Sequence, residues 1–293
     1  MTLPARVRLV EVGPRDGLQN EPVIVPTEVK LGLIARLVAA GLDGIEVGSF
    51  VSPAWVPQMA DTPDLMRRLG PAPAGVRYGV LVPNRRGFEA AQAAGAREVA
   101  VFAAASETFS ERNVNASIAA SLERFAPVAE GAAAAGIRLR GYVSCVLGCP
   151  YEGAVAPSAV ADVAGRLAAL GCAEISLGDT IGAGTPETAL AMVAAVAERV
   201  APERLALHCH DTGGRALDII RACLDRGVSV VDASVAGLGG CPYAPGAPGN
   251  VATEAVAAML ERMGIATGVD RERLAEAGRF IAGALGRLPA PPA

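Results

Sequence analysis

Leu205-Ala206-Leu207-His208-Cys209-His210-Asp211-Thr212 passes from an apolar run into a polar end, and it holds the only two histidines among 293 residues. The run reads as a strand. Successive strand side chains point to opposite faces, so positions two apart share one face and both imidazoles can reach a single ion. Two histidines satisfied by neighbouring carbonyls at a strand end would leave the same short pattern. The choice depends on whether the plan, an apolar strand delivering polar groups at its end, recurs along the chain.

It recurs seven times. Short β-branched or apolar runs lie at 8–12, 44–47, 78–82, 98–102, 139–143, 174–177 and 230–234, besides 205–207. Alanine- and leucine-rich segments of helical period separate most of them, as with Val29, Leu33, Ile34, Leu37 and Val38. Gly41, Gly95, Gly136, Gly171 and Gly227 stand where such segments would end in a left-handed residue, and Pro157 and Pro186 stand near helix starts. Eight strand-then-helix units joined by right-handed crossovers predict an α/β fold, a closed (β/α)₈ TIM barrel. An open doubly wound sheet would use the same units but seldom needs eight regular ones. No linker divides the chain, which predicts one catalytic domain over residues 1–293. Its core runs from about 8 to 264, a C-terminal helical extension covers 270–287, and the tail after it should fray.

Composition narrows the function. Hydrophobic residues make up 52 % and charged residues 19 %, enough for a large core and too apolar for disorder. Lys+Arg number 26 against Asp+Glu 30, without blocks of like charge, which argues against nucleic-acid binding. Six cysteines lack zinc-ribbon spacing and read as free thiols of a reducing compartment. The first strand follows Met1 closely and no apolar run reaches membrane-spanning length, so a cytoplasmic location with no membrane contact is expected.

In such a barrel the chemistry lies at the strand C-termini. The first run delivers Glu11 and then Arg15, Asp16 and Gln19; the second Glu46 and Ser49; the sixth Ser176, Asp179 and Thr180; the seventh the two histidines. After the eighth comes a glycine- and proline-rich stretch from Gly237 to Asn250, which lacks the ending of a phosphate-binding loop and reads as a lid. Asp16, His208 and His210, with an amide oxygen from Asn250, would make an oxygen and nitrogen site suited to Mg²⁺ or Mn²⁺. Asp16 in Asp-Gly also fits a plain turn. Arg15 could meet developing negative charge, or it could pair with Glu11, Glu46 or Glu21. Cys241, on the glycine-rich loop, is the one cysteine placed to relay a proton, while Cys209 should point away from its flanking histidines.

Several stretches closely resemble the 3-hydroxy-3-methylglutaryl-CoA lyases, metal-dependent carbon–carbon lyases whose barrels begin with an Arg-Asp pair. They are Glu11-Val12-Gly13-Pro14-Arg15-Asp16-Gly17-Leu18-Gln19-Asn20-Glu21, Gly141-Tyr142-Val143-Ser144-Cys145, Ser176-Leu177-Gly178-Asp179-Thr180, His208-Cys209-His210-Asp211-Thr212 and Val235-Ala236-Gly237-Leu238-Gly239-Gly240-Cys241-Pro242-Tyr243. The resemblance implies a divalent metal on Asp16, His208, His210 and Asn250, and cleavage of 3-hydroxy-3-methylglutaryl-CoA into acetyl-CoA and acetoacetate. It implies catalytic roles for Arg15, Asp16, Cys241 and His208, with proton transfer by Cys241 and His208 left unapportioned. Arg15, Gln19, Glu46, Ser49, Ser176, Asp179 and Thr180 would bind the acyl group, Asn113 and Ser117 the CoA moiety. A homodimer is implied too, with the C-terminal helix as one contact.

Two departures stand out. Gly48 replaces a threonine of animal members, which predicts a roomier or differently hydrogen-bonded pocket, and Pro22 replaces a lysine. A lyase for a longer 3-hydroxy-3-alkylglutaryl-CoA, such as 3-hydroxy-3-isohexenylglutaryl-CoA, is therefore a second reading. A condensing synthase is disfavoured by the cysteine loop. A silent metal-binding scaffold is disfavoured by the complete set of reactive residues.

Overall fold

Strand β1 (Arg8–Glu11) enters a π-helical turn at Gly13–Gly17 and then α1 (Thr27–Ala39); β2 (Gly44–Ser49) leads to α2 (Thr62–Leu69) and β3 (Arg77–Leu81) to α3 (Arg85–Ala93). The chain continues through β4 (Glu98–Ala104), α4 (Glu107–Val114), α5 (Ile118–Ala135), β5 (Arg138–Ser144), α6 (Pro157–Ala169), β6 (Glu174–Asp179) and α7 (Pro186–Ala197). It ends with β7 (Leu205–Cys209), α8 (Ala216–Leu224), β8 (Val230–Ala233), α9 (Thr253–Arg262) and α10 (Arg271–Ala284). The computed structural model describes residues 3–240 and 249–287. Each strand pairs in parallel with the next and β8 pairs with β1, so the eight close into the expected (β/α)₈ barrel. The lid residues 241–248, Cys241 among them, and the tail 288–293 lie outside the described residues.

Sequence chemistry accounts for the joints. The five glycines expected to end helices have φ between 63° and 98°, where a Cβ would be strained. Pro157 and Pro186 open α6 and α7, where a missing N–H costs nothing.

Strand alternation divides the side chains. Leu9, Ile45, Val47, Leu139, Val143, Ile175, Leu177, Leu207, Cys209 and Val231 join the main core with helix residues such as Leu33, Leu167 and Ile220. Val10, Val12, Ala206 and Val230 form a separate cluster inside the barrel. The alternate positions on β5, β6, β7 and β8 therefore point inward, and they carry Arg140, Tyr142, Glu174, Ser176, His208 and Asp232, all buried. The described cysteines are all free and buried, Cys209 on the face away from the histidines.

The C-terminal helix turns its apolar face to the barrel. In α10, Leu274, Ala277, Gly278, Ile281 and Ala282 recur at helical spacing and are buried. That face packs against α1, and the Arg36 guanidinium stacks 3.9 Å from the Phe280 ring, so its apolar stripe is spent within the chain.

Candidate active site

The turn after β1 aims two charged side chains into the barrel mouth. Arg15 donates from Nε to Glu46 Oε2 at 2.6 Å and from Nη1 to Asp16 Oδ1 at 2.5 Å. Of the pairings open to Arg15, the structure selects Glu46. Glu21 instead meets Arg287, and Glu11 accepts from Gly13 N, Val235 N and the Thr253 hydroxyl at 2.8, 2.9 and 2.7 Å. Glu11 thus ties the turn to the end of β8.

Burial pushes the Glu11 carboxyl up to about 8, against the hydrogen bonds that lower it. Its folded pKa lies above the unfolded value. The stability it contributes is therefore full below about pH 4.5 and is lost as pH rises through 8, a swing on the order of 5 kcal/mol. Glu11→Gln removes that dependence, so its stability relative to the parent should rise between pH 5 and pH 9, read from urea midpoints.

Asp16, His208 and His210 offer ligand atoms within 4.8 Å of one another. His208 Nε2 lies 3.9 Å from Asp16 Oδ2, and the two imidazoles lie 5.4 Å apart between ring centres. Asn250 bridges to His210 through the backbone and donates from Nδ2 to Asp16 Oδ2 at 2.8 Å, which brings the fourth expected ligand to the same place. The approach is close: Gly239, at φ 99°, has no room for a Cβ, which would lie 2.9 Å from Asn250 Nδ2.

Several observations fit a divalent cation here. His210 Nδ1 is buried without a hydrogen-bond partner among the described residues. Burial, then neighbouring His208, lowers the His210 imidazole to about 4, which keeps it neutral as a ligand must be. Burial would raise Asp16, but the Arg15 guanidinium and both imidazoles hold it well below the usual carboxylate range. Burial works against a charged His208, yet Asp232 and Asp16 raise it. One guanidinium between two carboxylates leaves a net negative charge for the cation to balance.

Above these groups opens a cavity of about 740 Å³, a size ordinary for a small-molecule site. Buried Arg15, Tyr142 and His208 form its floor, Leu81, Phe102 and Phe125 give it apolar walls, and exposed Trp55, Arg112, Asn113 and Arg124 stand at the mouth. Gln19 lines it and donates to Asp16 at 3.2 Å. Thr180 lines it too, its hydroxyl accepting from Cys145 N at 2.8 Å.

Other expected residues are occupied elsewhere. Ser176 donates to Asp232 at 2.7 Å beneath the floor, and Asp179 accepts from Ala183 N and Gly184 N at 3.1 and 3.0 Å. Ser117 caps α5, accepting from Ala120 N at 3.1 Å, and does not line the cavity. Ser49 is buried with its hydroxyl unpartnered among the described residues. Arg140, Tyr142 and Asp232, which reach the floor or support it, were not among the expected residues.

Gly48 overturns its own expectation. A Cβ there would lie 2.6 Å from Thr62 Oγ1 and 2.7 Å from Thr62 Cγ2, so the missing side chain faces α2 and not the pocket. The register of β2 shifts between Glu46 and Gly48, which turns Gly48 outward where strict alternation would aim it in. Gly48→Ala should cost about 1–3 kcal/mol through overpacking, seen in thermal unfolding, and leave acyl-chain preference unchanged.

Comparison with known proteins agrees with this geometry. The HMGL-like family model matches residues 6–281. The chain is 59% identical over 286 residues to the mitochondrial hydroxymethylglutaryl-CoA lyase of Rattus norvegicus, covering 98% of this chain and 88% of that one. Its structure matches that of hydroxymethylglutaryl-CoA lyase from Pseudomonas aeruginosa with a TM-score of 0.96 and 56% identity, over 99% of this chain and 96% of the other. An HMG-CoA lyase from Acinetobacter baumannii, in complex with coenzyme A and 3-methylmalate, matches at a TM-score of 0.92 and 35% identity, over 99% and 95%. The chain belongs to the hydroxymethylglutaryl-CoA lyase family.

Proposed function

We propose that this chain is a metal-dependent lyase that cleaves 3-hydroxy-3-methylglutaryl-CoA into acetyl-CoA and acetoacetate. The observation that carries the reading is the placement of Asp16, His208 and His210 beside Arg15 at the floor of the cavity. A bound Mg²⁺ or Mn²⁺ supplies Lewis acidity to substrate oxygens and makes the tertiary hydroxyl easier to deprotonate. Asp16, His208, His210 and Asn250 would hold it. The 35%-identical relative holds coenzyme A with a hydroxy diacid, which supports an acyl-CoA as substrate.

The chemistry follows from charge flow. The hydroxyl loses its proton, the bond between the hydroxyl-bearing carbon and the thioester methylene breaks, and its electron pair moves onto the thioester enolate. A proton delivered to the enolate carbon completes acetyl-CoA, and the oxygen-bearing carbon becomes the ketone of acetoacetate. Arg15, kept cationic because its two carboxylates outweigh burial, stabilises the enolate oxygen. His208 has Nδ1 toward Asp232 and Nε2 toward Asp16, so we assign it to ligation. Proton transfer then falls to Cys241. Glu46 orients Arg15, Gln19 and Thr180 bound the acyl group, and Asn113 at the mouth meets the CoA arm.

The longer-chain reading loses its structural support with Gly48 facing α2. No helix among the described residues is long and apolar enough to cross a membrane. We place the enzyme in the cytoplasm, where buried free thiols stay reduced, as one catalytic domain acting as a homodimer. Incubation with 3-hydroxy-3-methylglutaryl-CoA should give acetyl-CoA and acetoacetate in equal amounts. A folded, metal-supplied protein that leaves the substrate intact would refute the assignment.

A further inference from the structure

The barrel interior beneath the site is charged, where packed apolar layers are the usual filling. Arg140 reaches from β5 across the barrel and grips Asp232 with Nη2 to Oδ1 at 2.6 Å and Nη1 to Oδ2 at 3.1 Å. Ser176 donates to the same carboxylate at 2.7 Å, and Arg140 also donates to Glu174 at 2.8 Å and to the Tyr142 hydroxyl at 2.6 Å. Glu174 is bound in turn by Arg8 and Arg138. All of this lies at 5 % exposure or less for Arg140, Glu174, Ser176 and Asp232. Desolvating such charges is expensive, and apolar residues of the same volume would often stabilise as well.

The network does one thing that apolar packing would not. Asp232 is the register partner of His208 on the neighbouring strand, and its Oδ2 lies 3.4 Å from His208 Nδ1. That nitrogen is buried and makes no formed hydrogen bond among the described residues, so the carboxylate facing it at 3.4 Å is an acceptor within reach, while Nε2 points at Asp16. Asp232 is itself fixed by Arg140 and Ser176, so it cannot turn away.

We propose that Asp232, clamped by Arg140, is a positioning residue for the metal ligand His208. It accepts the Nδ1 proton, fixes the ring plane and leaves the Nε2 lone pair for the cation, a carboxylate–histidine pairing of the kind that orients ligands from behind. The inference rests on Asp16, His208 and His210 holding a metal, and it adds a residue outside that set.

Two measurements test it without turnover. Tag-free protein has only two imidazoles, so a ¹⁵N two-bond correlation spectrum of the Mg²⁺-loaded protein resolves both. The one with cross-relaxation to Tyr142, whose ring lies 6.0 Å from that of His208, should carry its proton on Nδ1. A proton on Nε2 overturns the proposal. Mn²⁺ binding followed by electron paramagnetic resonance should weaken about 10- to 100-fold in Asp232→Asn. The double variant Asp232→Asn with Arg140→Gln leaves no uncompensated charge, and it should show the same loss. Affinity within about threefold of the parent in a folded variant reduces the network to packing and sinks the idea. Failure of the parent itself to bind Mn²⁺ would instead withdraw the metal site, and this role with it.

Discussion

Arg15→Gln lowers turnover of 3-hydroxy-3-methylglutaryl-CoA by about 10³-fold or more, with a smaller change in KM. The magnitude follows from the cost of removing one donor at a developing oxyanion, here a full positive charge in a buried site. The substitution also leaves Glu46 facing an empty position, and breaking a buried pair from one side costs about 3–5 kcal/mol. A drop in activity alone would therefore be ambiguous. Burial already pulls the Glu46 carboxyl upward against the opposing Arg15 charge, so its charge is costlier to keep without Arg15. The double variant Arg15→Gln with Glu46→Gln should recover much of the lost stability in denaturant melts and none of the turnover. Recovery of both would mean that Arg15 serves the fold and not the enolate.

Asp16→Asn weakens Mn²⁺ binding by at least about 100-fold, more than is typical for residues behind the ligands, and lowers turnover in step unless the metal is in large excess. Asp16 is the only carboxylate among the three clustered groups, and it is also the acceptor for Arg15, Gln19 and Asn250. The asparagine keeps the shape and removes the charge, so Arg15 and a cation would face each other with one carboxylate fewer between them. Direct measurement of metal affinity separates this from a folding defect. Unchanged affinity with lost turnover would place the metal elsewhere.

Much of this was legible in the chain because strand and helix alternate with fixed periods. All eight runs became strands, and several ends that were read short, such as β6 stopping at Asp179 and not Leu177, carry polar residues that the apolar pattern could not include, while β4 runs on through Ala103 and Ala104. Asp16, His208, His210 and Asn250 converge as expected from their places after strand ends. Asp232 and Arg140 escaped notice because a charge inside an apolar strand resembles an edge or surface position. In a closed barrel both faces are buried, so the alternation Arg138-Leu139-Arg140-Gly141-Tyr142 beside Glu174-Ile175-Ser176 and Val231-Asp232 was the available signal of a charged interior. Gly48 was misread for a related reason. Alternation predicts its direction only while the register holds, and β2 breaks register between Glu46 and Gly48. Ser117 and Asp179 show a third limit: a short polar side chain at a helix start or loop serves the backbone as readily as a ligand, and spacing does not distinguish the two.

The most direct test follows acetyl-CoA release from 3-hydroxy-3-methylglutaryl-CoA by one protein sample as isolated, after chelation, and after addition of Mg²⁺ or Mn²⁺. Release should fall to background on chelation and return with either ion. Release that persists in fully chelated protein would contradict a metal on Asp16, His208 and His210, and release absent throughout would contradict the lyase itself.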